Sequence, residues 1–250
     1  MLIWLDDLIW FPDPSLADEE GLLAAGGDLS VGRLLFGYQN SIFPWYDEGD
    51  PILWWTPPTR YIIKPARIHI SHSMRKFMKK RKIALVIGRD FADTMHRCRA
   101  KREGETWITD EMEEAYGNLH KAGYATGVEV FFDGELAGGL YGVVIDRCFF
   151  GESMFTEISN GSKAALILLA KLLEQLGFYM IDCQFHTDHL ESMGGEFISR
   201  KDYLEALKHY AVLKGREALD GCYLYDAVRD AVVDAMQDTA ADSVRNIDMD

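Results

Sequence analysis

Two short segments hold the polar groups best placed for chemistry: CFFGESMF at residues 148–155 and IDCQ at residues 181–184. Each is a mostly apolar run broken by one or two polar side chains. Gly151 lets a backbone or a ligand come close. Glu152 sets a carboxylate beside Phe149, Phe150, Met154 and Phe155. Asp182 and Gln184 are two apart, so in a strand both point to the same face. A carboxylate and an amide projecting together from an apolar sheet suit positioning and proton handling better than packing.

Other constellations are weaker. There is no GxSxG elbow. Cys183 is near His186 and His189, which suggests a Cys/His pair. In a strand, however, Cys183 points away from Asp182 and Gln184, and a buried structural thiol is the better reading. His186, Asp188 and His189 form HxDH, which lacks the i, i+4 histidine pair of a helical zinc site, so no metal is expected. Asn160-Gly161-Ser162 precedes a long helix, where a GNAT acetyltransferase would cradle a pyrophosphate. The R/Q-x-x-G-x-G/A pattern of that loop is missing, which counts against acetyl-CoA. Trp45 in FPW and Trp107 in GETWIT sit in polar, glycine-flanked turns, where an indole can stack on a base or ribose.

These groups need a scaffold, and the chain is long enough to build one. Its 250 residues, 48% hydrophobic and 12% aromatic, support a sizeable core in one large or two small domains. The four cysteines form no CxxC pair, which fits a reducing cytosol rather than a disulfide framework. The opening MLIWLDDLIWFPDP has no basic segment and does not read as a secretion signal. No apolar run approaches the roughly 20 residues of a membrane helix.

The net charge of −14 argues at first against nucleic acid, but the charges are segregated. Arg60, Lys64, Arg67, Arg75, Lys76, Lys79, Lys80, Arg81, Lys82 and Arg89 follow one another with no acid between them. Arg97, Arg99, Lys101 and Arg102 come soon after. Such a stripe can grip phosphates locally whatever the global sign, although a solvated helix face has the same composition. The segment from Glu217 onward is acidic instead. Its aspartates at 226, 230, 234, 238 and 242 would line one face of a peripheral helix.

Local patterns give an order of elements. Residues 1–58 form a small, irregular, turn-rich unit with one helix over 31–39, capped by Ser30 and facing inward through Leu34, Leu35 and Tyr38. RYIIKP and ARIHIS alternate like strands. HSMRKFMKKR reads as a basic helix, KIALVIG as a buried strand and RDFADTMHRCRA as a helix. Another helix runs from about 110 to 122 and ends at Gly123. A three-strand meander follows, turning at Asp133-Gly134 and again between Val144 and Arg147. A long helix from Ser159 closes at Gly177, then come a strand YMIDCQF and a short helix from Asp202 to Tyr210. Two helices, an antiparallel meander, a long helix and a strand are the order of GNAT-type acyltransferases. The expected class is therefore α+β: a small N-terminal α+β domain (1–58), then a GNAT-like domain (59–213) with a mostly antiparallel sheet flanked by helices, then an acidic tail (214–250).

The motifs GGDLS, NSIFPW, DPILWWTPPTR, TWIT, AYGNLHKAG, GGLYGV, FFGESMF, SKAAL, IDCQ and SRKDYL occur in this order. On these residues the chain closely resembles the leucyl/phenylalanyl-tRNA–protein transferases, from about Phe11 to about Tyr210. NSIFPW lacks the glycine of the family's GxxFPW. The resemblance implies a bacterial cytoplasmic enzyme of the N-degron pathway. Such an enzyme moves Leu or Phe, and Met less well, from aminoacyl-tRNA to proteins beginning with Arg or Lys. It implies no coenzyme, metal or membrane. By resemblance Asp182 and Gln184 match the catalytic pair, with Asp182 as electrostatic or proton-accepting partner and Gln184 orienting the amine or the ester carbonyl. Leu140, Phe149, Gly151, Glu152, Ser153, Met154, Leu169, Leu173 and Ile181 match the aminoacyl pocket. Leu169 and Leu173 stand where some relatives carry aromatics. Tyr38, Trp45, Trp107 and Tyr116 match contacts to the tRNA 3′ end. Arg75, Lys76, Lys79, Lys80, Arg81 and Lys82 would grip the acceptor-stem phosphates. Two readings compete with this one: a GNAT-type N-acetyltransferase using acetyl-CoA, and a non-catalytic RNA-binding protein.

Overall fold

Good caps set most of the helices. Ser30, Ser71, Asp90, Thr109 and Ser199 each accept a backbone N–H of the first turn with their side chains. In the computed structural model, which describes residues 2–101 and 107–213, short strands come first. They are β1 (Ile3–Leu5) and β2 (Leu22–Gly26), then helix α1 (Val31–Gln39), β3 (Phe43–Pro44) and β4 (Leu53–Trp55). The strands form a four-stranded sheet in the order β1-β2-β4-β3.

Next come β5 (Thr59–Ile63), α2 (His72–Met78), β6 (Ile83–Ile87), α3 (Phe91–Ala100) and α4 (Asp110–Lys121). The meander is β7 (Ala125–Phe132), β8 (Glu135–Ile145) and β9 (Cys148–Thr156), followed by α5 (Gly161–Gln175). The chain continues through β10 (Met180–Asp182), α6 (Asp188–Ser192), β11 (Glu196–Ser199) and α7 (Arg200–Tyr210). The expected element order is present, and the class is α+β. The second sheet runs β11-β5-β10-β9-β8-β7-β6, and β9 with β10 is its one parallel pair.

Both faces of this sheet are covered, so its central strands bury consecutive side chains on opposite sides. Ile63, Phe149 and Ile181 pack with Leu166, Leu169 and Leu173 of α5. Ile62, Phe150 and Tyr141 pack with α1, α3, α4 and α7 through Tyr38, Met95, Tyr116 and Tyr203. That second core continues under the small sheet through Trp54, which is fully buried. The start of α5 presses on β8: a Cβ at Gly138 would lie 2.7 Å from the Gly161 carbonyl carbon.

Four local expectations need correction. ARIHIS is no strand: Pro65–Arg67 turn as a 3-10 helix, and Ile68 and Ile70 are buried from a loop. KIALVIG is a strand but only Ile87 of it is buried, because β6 is the sheet's edge. The strand expected over YMIDCQF keeps only Met180–Asp182, since Gln184 turns into the left-handed region at φ 60°. The long helix starts at Gly161, one residue after left-handed Asn160. Arg102 and the acidic tail 214–250 lie outside the described residues.

Candidate active site

The two parallel strands pair only from Cys148 with Met180 to Phe150 with Asp182. Beyond these pairs each strand goes its own way. Gly151, Glu152, Ser153 and Met154 on β9, and Cys183, Gln184 and Phe185 after β10, line a cavity of about 370 Å³. That is the size of a small-ligand pocket, at the carboxyl ends of parallel strands where such sites form. Leu140, Phe149, Leu166 and Ile181 supply apolar walls, and Phe43, Trp45 and Trp107 approach from elsewhere.

Glu152 owes its place to a register shift. Tyr141 pairs with Ser153 and Gly142 with Gly151, so Glu152 has no partner residue on β8 and forms a β-bulge. The bulge also moves Phe155 to the core face occupied by Phe150 rather than that of Phe149. Glu152 is 8% exposed. Tyr38 donates to its Oε1 at 2.7 Å, Tyr116 to its Oε2 at 3.1 Å, and the Gln184 amide to Oε1 at 3.2 Å. Burial pushes its carboxyl up to about 7; the tyrosine hydrogen bonds resist the rise and the Asp182 charge adds to it.

Asp182 is fully buried and does not line the cavity. Its Oδ2 accepts from Arg60 Nη2 at 2.5 Å and from the Tyr203 hydroxyl at 2.6 Å. Its Oδ1 accepts the Gln184 backbone N–H at 2.8 Å. Arg60 is itself 1% exposed, and its guanidinium lies 4.5 Å from the Phe43 ring centroid and 4.9 Å from that of Tyr203. Asp182 therefore meets the cavity only through Gln184. It holds Gln184 in a backbone conformation uncommon for a residue other than glycine and so aims the amide at Glu152.

The structure brings together Leu140, Phe149, Gly151, Glu152, Ser153, Met154, Ile181, Gln184, Trp45 and Trp107 around the cavity. It does not bring Leu169 or Leu173 there, because α5 turns both into the core, where they are fully buried. Tyr38 and Tyr116, expected against the tRNA end, are fully buried behind Glu152. A Cβ at Gly151 would meet the Asp182 carbonyl at an ordinary 3.4 Å, so this glycine opens the cavity rather than relieving a backbone clash. Cys183 does line the cavity, but burial, with the Asp182 charge, raises its thiol pKa, so it is no ready nucleophile. His186, Asp188 and Glu191 place one ligand atom each within 4.8 Å of one another at the surface, where His186 bonds Glu191 at 2.9 Å. Lys76, Lys79, Lys80, Arg81 and Lys82 are exposed on and after α2, and Arg75 is half-buried. They precede β6, three strands from β9. Sequence reasoning missed Arg60, Tyr203, Phe43, Leu166 and Phe185. Arg60 alone carried a hint, as a charge in the inward-alternating RYIIKP.

Comparison with known proteins places this geometry. The model of the leucyl/phenylalanyl-tRNA protein transferase family matches residues 62–208, and the model of that family's N-terminal domain matches residues 27–58. A leucyl/phenylalanyl-tRNA–protein transferase of Desulfatibacillum aliphaticivorans is 50% identical over 222 residues, 86% of this chain and 95% of that protein. One of Syntrophus aciditrophicus is 50% identical over 208 residues, 82% of this chain and 87% of that protein. No helix among the described residues is long and apolar enough to cross a membrane. With both family models matched and half of the aligned residues shared along nearly the whole of a relative, the chain belongs to the leucyl/phenylalanyl-tRNA protein transferase family.

Proposed function

We propose that the cavity receives the aminoacyl end of a charged tRNA, and that the protein passes Leu or Phe, and Met less well, to proteins beginning with Arg or Lys. In the cytoplasm this would mark them for N-degron degradation. The observation that carries the reading is the cavity itself: apolar walls for a side chain, with Glu152 and Gln184 where a reacting ester and amine would meet. The donor is an activated ester, so no covalent enzyme intermediate is needed and holding the two reactants together supplies much of the acceleration. Trp45 and Trp107, both in the cavity wall, would stack on the terminal adenosine, and Trp45 comes from the segment before β4, so residues 1–58 would form a small domain that closes one side of the site. The basic stripe of Arg75, Lys76, Lys79, Lys80, Arg81 and Lys82 would grip tRNA phosphates.

An acetyl-CoA enzyme fits less well. The start of α5 is closed by the protein itself: a Cβ at Gly161 would run into the Ala137 carbonyl, and Thr156 accepts the Ser162 N–H at 3.3 Å. Coenzyme A should give no saturable binding. The direct test is transfer of labelled Phe from charged tRNA to an Arg-initiated peptide. Wild-type protein should transfer, and Gly151→Leu, which fills the cavity, should lower the rate by at least about tenfold by obstructing the bound geometry. No transfer by wild-type protein would overturn the reading.

A further inference from the structure

The hydroxyls behind Glu152 are short of one proton. Three contacts join Tyr38, Tyr116 and the carboxylate: hydroxyl to hydroxyl at 2.5 Å, Tyr38 to Oε1 at 2.7 Å and Tyr116 to Oε2 at 3.1 Å. Two phenols have only two protons to give. While the carboxylate is ionised, one of the three contacts lacks a hydrogen. A proton on Glu152 supplies the third, and the ring of contacts is then complete.

We propose that Glu152 is the proton carrier of aminoacyl transfer, taking the proton from the acceptor amine and returning it to the ribose oxygen. This inference rests on the cavity being the aminoacyl site. As the amine nitrogen bonds to the ester carbonyl carbon, its N–H proton passes to the Glu152 carboxylate. When the C–O bond breaks, the electron pair leaves on the ribose oxygen, which takes that proton from Glu152. The products are an amide and a ribose hydroxyl, and the carboxylate is restored.

The surroundings suit this work. The ordinary carboxyl value of 4.5 is raised to about 7 by burial, so both forms of Glu152 are present near neutrality, as a general base requires. Tyr38 faces it from α1 and Tyr116 from α4, and both phenols are held protonated well above 10 by burial and by the Glu152 charge. Tyr141 on β8 stands edge-on to Tyr116. Asp182 on β10 is the nearby fixed charge, already paired with Arg60 of β5 and bonded to Tyr203 of α7. Cys183 and His189 share the cavity, the thiol raised and the imidazole lowered, each chiefly by burial. Neither is therefore a better acceptor of a proton near pH 7, and Asp182 does not reach the cavity.

The test compares single-turnover rates of Phe transfer, at saturating charged tRNA and an Arg-initiated peptide, for wild-type protein and Glu152→Gln across pH 5.5–8.5. Ionisation of the acceptor amine cancels in the ratio of the two rates. Since glutamine mimics the protonated acid, the ratio should reach at least about a hundredfold at pH 8 and fall about tenfold per unit below pH 7. A ratio near one at pH 8, or a large ratio that does not change with pH, would overturn the proposal. Tyr38→Phe gives a second readout that does not depend on the fold of Glu152→Gln. It removes a hydrogen bond that favours the ionised carboxyl, so the acid limb of the rate should move to higher pH. An unmoved limb would count against Glu152. Wild-type protein that transfers nothing at any pH refutes the aminoacyl reading instead, so the two failures are distinct.

Discussion

Arg60→Met removes the guanidinium paired with Asp182 and leaves the carboxylate in place. The two groups are 1% and 0% exposed, so neither can recover hydration without opening the fold. Asp182 keeps the Tyr203 hydroxyl at 2.6 Å and the Gln184 N–H at 2.8 Å, but these are dipoles facing a full charge. Breaking a buried pair by removing one partner costs about 3–5 kcal/mol, because the survivor is an uncompensated charge. For a protein of this size each kcal/mol shifts Tm by about 2–4 °C, so the loss should be on the order of 6–20 °C. Urea melts give the free energy directly, provided the transition stays two-state. Replacing both groups, as in Arg60→Met with Asp182→Leu, removes the charge as well as its partner and should restore about 2 kcal/mol or more. The double variant should still transfer poorly, since Gln184 has lost the carboxylate that holds its backbone. Two results would refute the reasoning: a single variant within about 1 kcal/mol of wild type, or a double variant no more stable than the single one.

Glu152 makes stability depend on pH in the opposite sense to most carboxylates. Its folded value of about 7 is above its ordinary 4.5, so the folded protein holds a proton that the unfolded chain releases. The stabilisation is full below about 4.5 and is lost as pH rises through 7. Glu152→Gln should therefore gain on the order of 2–3 kcal/mol over wild type by pH 8 and nothing at pH 4.5; equal melting curves at pH 8 would contradict this. Charge reversal at Lys79 and Lys80 should weaken tRNA binding and flatten its salt dependence by roughly one to two in the log–log slope, and unchanged affinity at low salt would exclude the stripe as the tRNA grip.

Helices were legible because their signals are local. Ser30 and Thr109 announce their helices within one turn, and Asp133-Gly134 announces its hairpin. The small sheet was not legible, since strands of two or three residues, such as Phe43–Pro44 and Leu53–Trp55, carry no measurable period. Much of the cavity wall was found, because FFGESMF and the aromatic turns stand out by type. Leu169 and Leu173 were misplaced, since the unbroken apolar run Ala164–Ala170, continued by Leu172 and Leu173, does not say which stripe faces a cavity and which faces the core. The role of Asp182 depended on Arg60, 122 residues away, and nothing local in IDCQ reveals that pairing. The bulge was hidden for a related reason: a period of two assumes that no residue is extra.

That extra residue has a consequence for how the site can change. Each regular position in a covered strand answers to one of two cores, so altering its side chain means repacking a hydrophobic layer. Glu152 has no cross-strand partner on β8 and sits where the strand changes faces, so what holds it is not sheet pairing but the hydroxyls of Tyr38 and Tyr116. An isosteric change such as Glu152→Gln can therefore alter the chemistry at this position while the pairing of β8 with β9, and with it the packing of Phe150 and Phe155, goes on as before.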